Sequence, residues 1–263
     1  MERALAIGLT LIVVAAAQAK LVTQTIEYKH DQLTLKGYLA YDDAASGKRP
    51  GVLVVHEWWG CNEYARKRAE QLAGLGYVAL AVDMYGEGVT TSDPNKAGEL
   101  AGQARKDVEQ WRARVRAGLD ALVKQEQCDP KRVAAIGYCF GGSTVLQLAF
   151  SGADVAGVVS FHGSLMPPKP DDKIKAKILV LHGADDPMVP AEAISAFQEG
   201  LRKAGADWQM TYYGKAVHSF TNPGADAVGI DGVRYDRSAD LRSWQAMRQF
   251  FNELFETPNS GAK

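Results

Sequence analysis

The chain has 263 residues, with 30 basic and 31 acidic side chains and a formal net charge of −1. Its 46% hydrophobic and 23% charged content belongs to an ordinary globule, long enough to bury a core that needs no disulfides. The balanced charge argues against a nucleic-acid binder and against docking on anionic membranes, both of which need a basic excess.

In chain order, Arg3 precedes an apolar run from Ala4 to Ala16 that ends in Ala17-Gln18-Ala19, the small-x-small pattern of an export cleavage site. About 13 apolar residues are too few for a bilayer span, which takes about 20. The expectation is a signal peptide over 1–19, and a periplasmic or secreted mature chain of one domain over 20–263 with no membrane span. If the signal is unused, the chain stays cytoplasmic. The tail 257–263 is polar and expected to fray.

Residues 22–29 and 33–41 alternate apolar and polar around His30-Asp31-Gln32, predicting an antiparallel hairpin with one wet face. From Val52 the pattern changes to continuous β-branched runs, as in strands covered on both faces. These runs predict strands at 52–55, 78–82, 132–136, 155–161 and 177–181, with a further strand at 208–213. Helical spacing appears over 63–75, along one long segment 96–126, and over 141–150, 190–204 and 240–255. Alternating strands and helices predict an α/β fold with a mostly parallel central sheet and helices on both faces. The irregular stretches 83–95, 162–176 and 214–237 each follow the C-terminal end of a strand, where open α/β sheets bind ligands.

Gly137-Tyr138-Cys139-Phe140-Gly141-Gly142 lies between a strand and a helix. This is the nucleophile-elbow pattern G-x-S-x-G with sulfur in place of oxygen. The following helix N-terminus favours a thiolate, the reactive form of cysteine. In such folds an acid and then a histidine follow in chain order. Asp185 and Asp186 in His182-Gly183-Ala184-Asp185-Asp186-Pro187 supply the acid, and His218 the base. The remaining cysteines, Cys61 and Cys128, fall at opposite ends of the sheet, too far apart for a disulfide. His56, His162 and His182 share the loop face with Asp83, but no H-x-x-x-H spacing supports a metal site. Neither a metal nor another cofactor is expected.

The motifs VVHEWWG (54–60), DMYGEG (83–88), GYCFGG (137–142), HGADDPMVP (182–190) and HSF (218–220) resemble those of the dienelactone hydrolase family of α/β-hydrolases, across about Thr25 to Phe255. The resemblance implies a cysteine hydrolase that cleaves a carboxylic ester or lactone through an acyl-cysteine intermediate. It places the triad on Cys139, Asp186 and His218. It assigns Glu57 to taking up the thiol proton, and the backbone N–H groups of Phe140 and Trp58 to an oxyanion hole. The family's two carboxylate-binding arginines fall on Glu87 and Asn222, so dienelactone itself is not expected as the preferred substrate. Lys215, Arg234 and Arg237 remain as loop cations that could replace them. Trp58, Trp59, Tyr85, Phe161, Met166 and Phe220 are candidate pocket walls, with Glu87 and Asn222 beside them. The competing readings are a non-catalytic ligand-binding protein on a hydrolase scaffold and a thiol redox protein, the latter disfavoured by the absence of C-x-x-C.

Overall fold

The computed structural model describes residues 20–255. The expected export segment 1–19 and the tail 257–263 lie outside the described residues. Strands β1 (Leu21–His30), β2 (Leu33–Asp42), β3 (Arg49–Val55), β4 (Val78–Val82), β5 (Cys128–Tyr138), β6 (Gly157–Phe161), β7 (Lys177–Gly183) and β8 (Trp208–Tyr213) build one sheet in the order β1-β2-β4-β3-β5-β6-β7-β8. The β1–β2 hairpin is antiparallel, as its alternation predicted, and β2 meets β4 antiparallel. Every pairing from β4 to β8 is parallel.

Helices α1 (Glu63–Ala73), α2 (Pro94–Arg105), α3 (Val108–Val123), α4 (Phe140–Phe150), α5 (Ala191–Lys203) and α6 (Arg237–Phe255) cover both faces. Alternation along β3 shows why both faces are apolar. Leu53 and Val55 join the core beneath α2 to α5, while Val52 and Val54 join the core beneath α1 and α6. Among the described residues no helix is long and apolar enough to cross a membrane.

The expected long segment 96–126 is two helices. α2 stops at Arg105, and Asp107 starts α3 by accepting the backbone N–H groups of Glu109 and Gln110. An acidic N-cap satisfies helix donors that have no partner within the helix, so it marks a new start inside an otherwise helical pattern. β5 is also longer than its apolar run. Cys128 and Asp129 pair with Arg49 and Pro50 before a register shift at Pro50/Gly51. Cys128 therefore sits at the far end of the sheet from the loop after β3 that carries Cys61, and all three cysteines are free thiols.

The parallel register aligns the C-terminal ends of the central strands. Val55 lies beside Gly137, Tyr138 beside Phe161, Phe161 beside Leu181, and Gly183 beside Tyr213. The loops that follow carry Glu57, Cys139, His162, Asp186 and His218 on one side of the sheet.

Candidate active site

β5 ends at Tyr138 and the chain enters α4 through a single residue, Cys139, with φ 53° and ψ −113°. A non-glycine residue in that region carries strain of about 1–3 kcal/mol, and such strain persists only where the surroundings enforce it. Two glycines permit the turn. A Cβ on Gly137 would lie 2.0 Å from the Gly141 carbonyl oxygen, and one on Gly141 would lie 2.1 Å from that of Val55. The thiol is half-buried at the N-terminus of an 11-residue helix.

His218 Nε2 lies 3.0 Å from Cys139 Sγ, and His218 Nδ1 lies 2.9 Å from Asp186 Oδ2. Asp186 also accepts the Met188 N–H. Asp185 is exposed, and its backbone N–H is bonded to the Ala216 carbonyl. The geometry therefore joins Asp186, and not Asp185, to the histidine. Burial pulls the His218 pKa down, but the adjacent Cys139 sulfur and the Asp186 hydrogen bond outweigh it and hold the imidazole well above its ordinary value.

Glu57 is only 2% exposed, although it follows a strand in a loop. Ser219 Oγ donates to one carboxylate oxygen at 2.9 Å, and Asn222 Nδ2 donates to the other at 2.5 Å. Burial raises the Glu57 pKa, against the opposing pull of Ser219, Asn222, His218 and Arg68. Neither the Phe140 N–H nor the Trp58 N–H is taken up by a hydrogen bond within the described residues, so both remain available as donors.

A cavity of about 230 Å³ opens over Cys139 and His218. Glu57, Trp58, Trp59, Phe140 and Asn222 line it. Other expected wall residues lie elsewhere. Tyr85 sits behind the wall, with its hydroxyl donating to the Trp58 carbonyl and its ring against Phe140. Phe220 is fully buried between His162 and Tyr213, and Phe161 is stacked on Tyr138. Met166 is exposed outside the cavity. Glu87 turns away into an ion pair with Lys36 at 2.9 Å. Aromatic and acidic residues beside an elbow read as pocket residues in sequence, but core packing and a surface cation claim these instead.

None of Lys215, Arg234 and Arg237 lines the cavity; Arg105 does. It ends α2 with its guanidinium over the Phe140 ring, 5.7 Å from the centroid, and its Nε on the Ala101 carbonyl. Nothing in the sequence distinguishes Arg105 from the other cations of α2 and α3. Met188, Ala225, Val228, Ile230 and Val233 complete an apolar roof. Met188 follows β7; the other four lie in the irregular stretch after β8, which holds a 3₁₀ turn at Ala225–Val228. Asp83 accepts four backbone N–H groups, from Lys36, Tyr85, Gly86 and Gly88, and His56 Nε2 accepts that of Met84. These groups organise the loop after β4, and among the described residues no three acidic, histidine or cysteine side chains are grouped to hold a metal.

The family model described as the dienelactone hydrolase family matches residues 35–255. A Yersinia pestis protein with the provisional name carboxymethylenebutenolidase is 28% identical over 240 residues, covering 87% of this chain and 86% of its own. The crystal structure of a dienelactone hydrolase-like promiscuous phosphotriesterase from metagenomic libraries is 42% identical, with a TM-score of 0.87 over 89% of this chain and 98% of its own. A Klebsiella pneumoniae structure at 23% identity and TM-score 0.76 shares the fold.

Proposed function

The chain belongs to the dienelactone hydrolase family, and from that premise we propose that it hydrolyses a small carboxylic ester or lactone through an acyl-cysteine intermediate. The observation that carries this reading is the contiguous set Cys139 Sγ, His218 and Asp186, with links of 3.0 and 2.9 Å, opening onto a cavity.

Each atom of the reaction has a place. The Cys139 thiolate attacks the acyl carbon, and the carbonyl oxygen gathers charge toward the N–H groups of Phe140 and Trp58. The intermediate collapses by breaking the bond to the alkoxy oxygen, which takes the His218 proton. A thioester remains on Cys139. Water then gives its proton to His218 and attacks the thioester, releasing acid and thiolate. Asp186 accepts from Nδ1–H throughout and fixes the tautomer. Glu57, buried and held by Ser219 and Asn222, is assigned to taking the thiol proton before substrate arrives, and His218, held well above its ordinary value, takes its own first proton from solvent.

The cavity favours a small, neutral, largely apolar substrate. Its volume lies below the roughly 300–1,000 Å³ of drug-sized ligand sites. Of the family's two arginine positions, one is turned away as Glu87 and the other is Asn222, committed to Glu57. Arg105 is the cation that the lining supplies. A neutral phosphotriester belongs in the substrate panel, given the name of the metagenomic relative.

The test is turnover of a short-chain aryl ester with mass analysis of the protein. Cys139→Ala is expected to lose at least about 10³-fold in kcat, and the wild type to carry the acyl mass on Cys139 during turnover. Equal activity in the two proteins would move the chemistry elsewhere. Export is proposed on residues 1–19, and N-terminal sequencing of the protein recovered outside the cytoplasm is expected to begin at Lys20.

A further inference from the structure

One buried histidine is unused by this mechanism. His162 follows β6 with φ 40° and has no exposed surface. The Cys139 backbone N–H, shared with the Phe161 carbonyl at 3.0 Å, points at His162 Nδ1 at 3.1 Å. An amide N–H only donates, so Nδ1 carries the lone pair and the ring proton sits on Nε2. That Nε2 lies 2.7 Å from Thr221 Oγ1 and donates to it.

Thr221 is anchored in turn. Its hydroxyl lies 2.7 Å from the Tyr64 hydroxyl, and its carbonyl accepts from Arg68 at 2.7 Å. Thr221 also belongs to the turn 218–222 that carries His218, Ser219 and Asn222. The contacts therefore close a ring. From the Cys139 backbone it runs through His162 to Thr221, along the chain to His218, and back to the Cys139 sulfur. The two imidazoles meet edge to face, with centroids 5.4 Å apart. Burial, with the positive charges of His218, Arg68 and His182, holds His162 neutral, so it adds no cation beside the imidazolium.

We propose that His162 is a positioning residue, a neutral Nε2-protonated imidazole that ties the nucleophile's backbone to the turn bearing the base and thereby sets the Cys139–His218 alignment. This rests on Cys139 being the nucleophile. The ring explains how two strained residues, at φ 53° and φ 40°, are both held. It also accounts for a buried hydroxyl, Thr221, placed between an imidazole and a phenol.

The experiment compares His162→Phe, His162→Asn, Thr221→Val and Thr221→Ser by kcat, KM, and the pH profile of Cys139 alkylation with iodoacetamide. His162→Asn keeps an acceptor for the Cys139 N–H but loses the link to Thr221. A loosened reacting pair lowers kcat roughly 10- to 100-fold. His162→Phe is expected to show that loss with KM within about twofold, and a slower alkylation of Cys139 than in the wild type. Thr221→Val is expected to move both readouts the same way, and Thr221→Ser to restore most of the loss. If His162→Phe fails to fold, the Val/Ser pair at 221 decides. Folded variants with wild-type kcat and an unmoved alkylation profile would overturn the proposal. Full activity in Cys139→Ala would instead overturn the nucleophile assignment, a separate outcome.

Discussion

Glu57 shows how much a single buried side chain does here. Its folded pKa is raised by burial, so between the ordinary carboxylate value and that raised value the folded state holds a proton that the unfolded chain releases. Stability from this group is present at low pH and lost as pH rises through the folded pKa. Glu57→Gln removes the charge while keeping both hydrogen bonds, since the amide oxygen accepts from Asn222 and the amide nitrogen donates to Ser219. The variant is expected to melt higher than wild type at pH 8, with the gain vanishing near pH 4, and to lose about 10²-fold in kcat. The wild-type activity profile is expected to show an acid limb as Glu57 takes a proton, and the variant's to lack it. Arg105 offers a second residue-scale test. A charge-assisted hydrogen bond is worth about 1.5–3 kcal/mol, or roughly ten- to hundredfold in affinity. Arg105→Ala should weaken binding of a carboxylated lactone by at least tenfold, while KM for the neutral analogue stays within about threefold.

At the scale of elements, the sequence was most legible where period and chemistry agree. The alternation in β1 and β2, the apolar runs of β3 to β7 and the glycines around Cys139 all pointed to what the structure contains. Two features were hidden. The break at Lys106-Asp107 is hidden because both flanks keep helical spacing, and only the cap at Asp107 separates α2 from α3. Asp107→Ala is expected to cost about 1 kcal/mol by removing acceptors for Glu109 and Gln110, measurable as a lower urea midpoint at unchanged slope. The roof over Cys139 is hidden because Ala225, Val228, Ile230 and Val233 lie in an irregular stretch whose path no periodicity describes. Tyr85, Glu87 and Phe220 were misread for the complementary reason. Sequence places them near the elbow, but whether a side chain faces the cavity, the core or a surface lysine depends on tertiary contacts.

At the scale of the molecule, two cores flank the sheet, and one ion pair ties α1 to α6 across the surface of the second. Arg68 reaches Asp240 at 2.6 Å, with both side chains nearly buried, and its guanidinium lies over the rings of Tyr64, Tyr138 and Trp244. Removing one partner of a buried pair leaves an uncompensated charge and costs about 3–5 kcal/mol. Asp240→Ala is therefore expected to destabilise by about 3 kcal/mol in denaturant unfolding, and to lower activity because Arg68 also holds the Thr221 carbonyl. Coupling of this kind reaches substrate choice as well. Position 222, where the resemblance places a substrate-binding arginine, is occupied by the partner of Glu57. An arginine grafted there would meet the Glu57 carboxylate before it met any ligand, and its charge would be answered internally. Changing specificity at this site is consequently an epistatic problem. The substitution that adds affinity for an anion also disturbs the acid proposed to prime the thiol, so effects at 57 and 222 should be strongly non-additive. A workable path would have to alter the acid first.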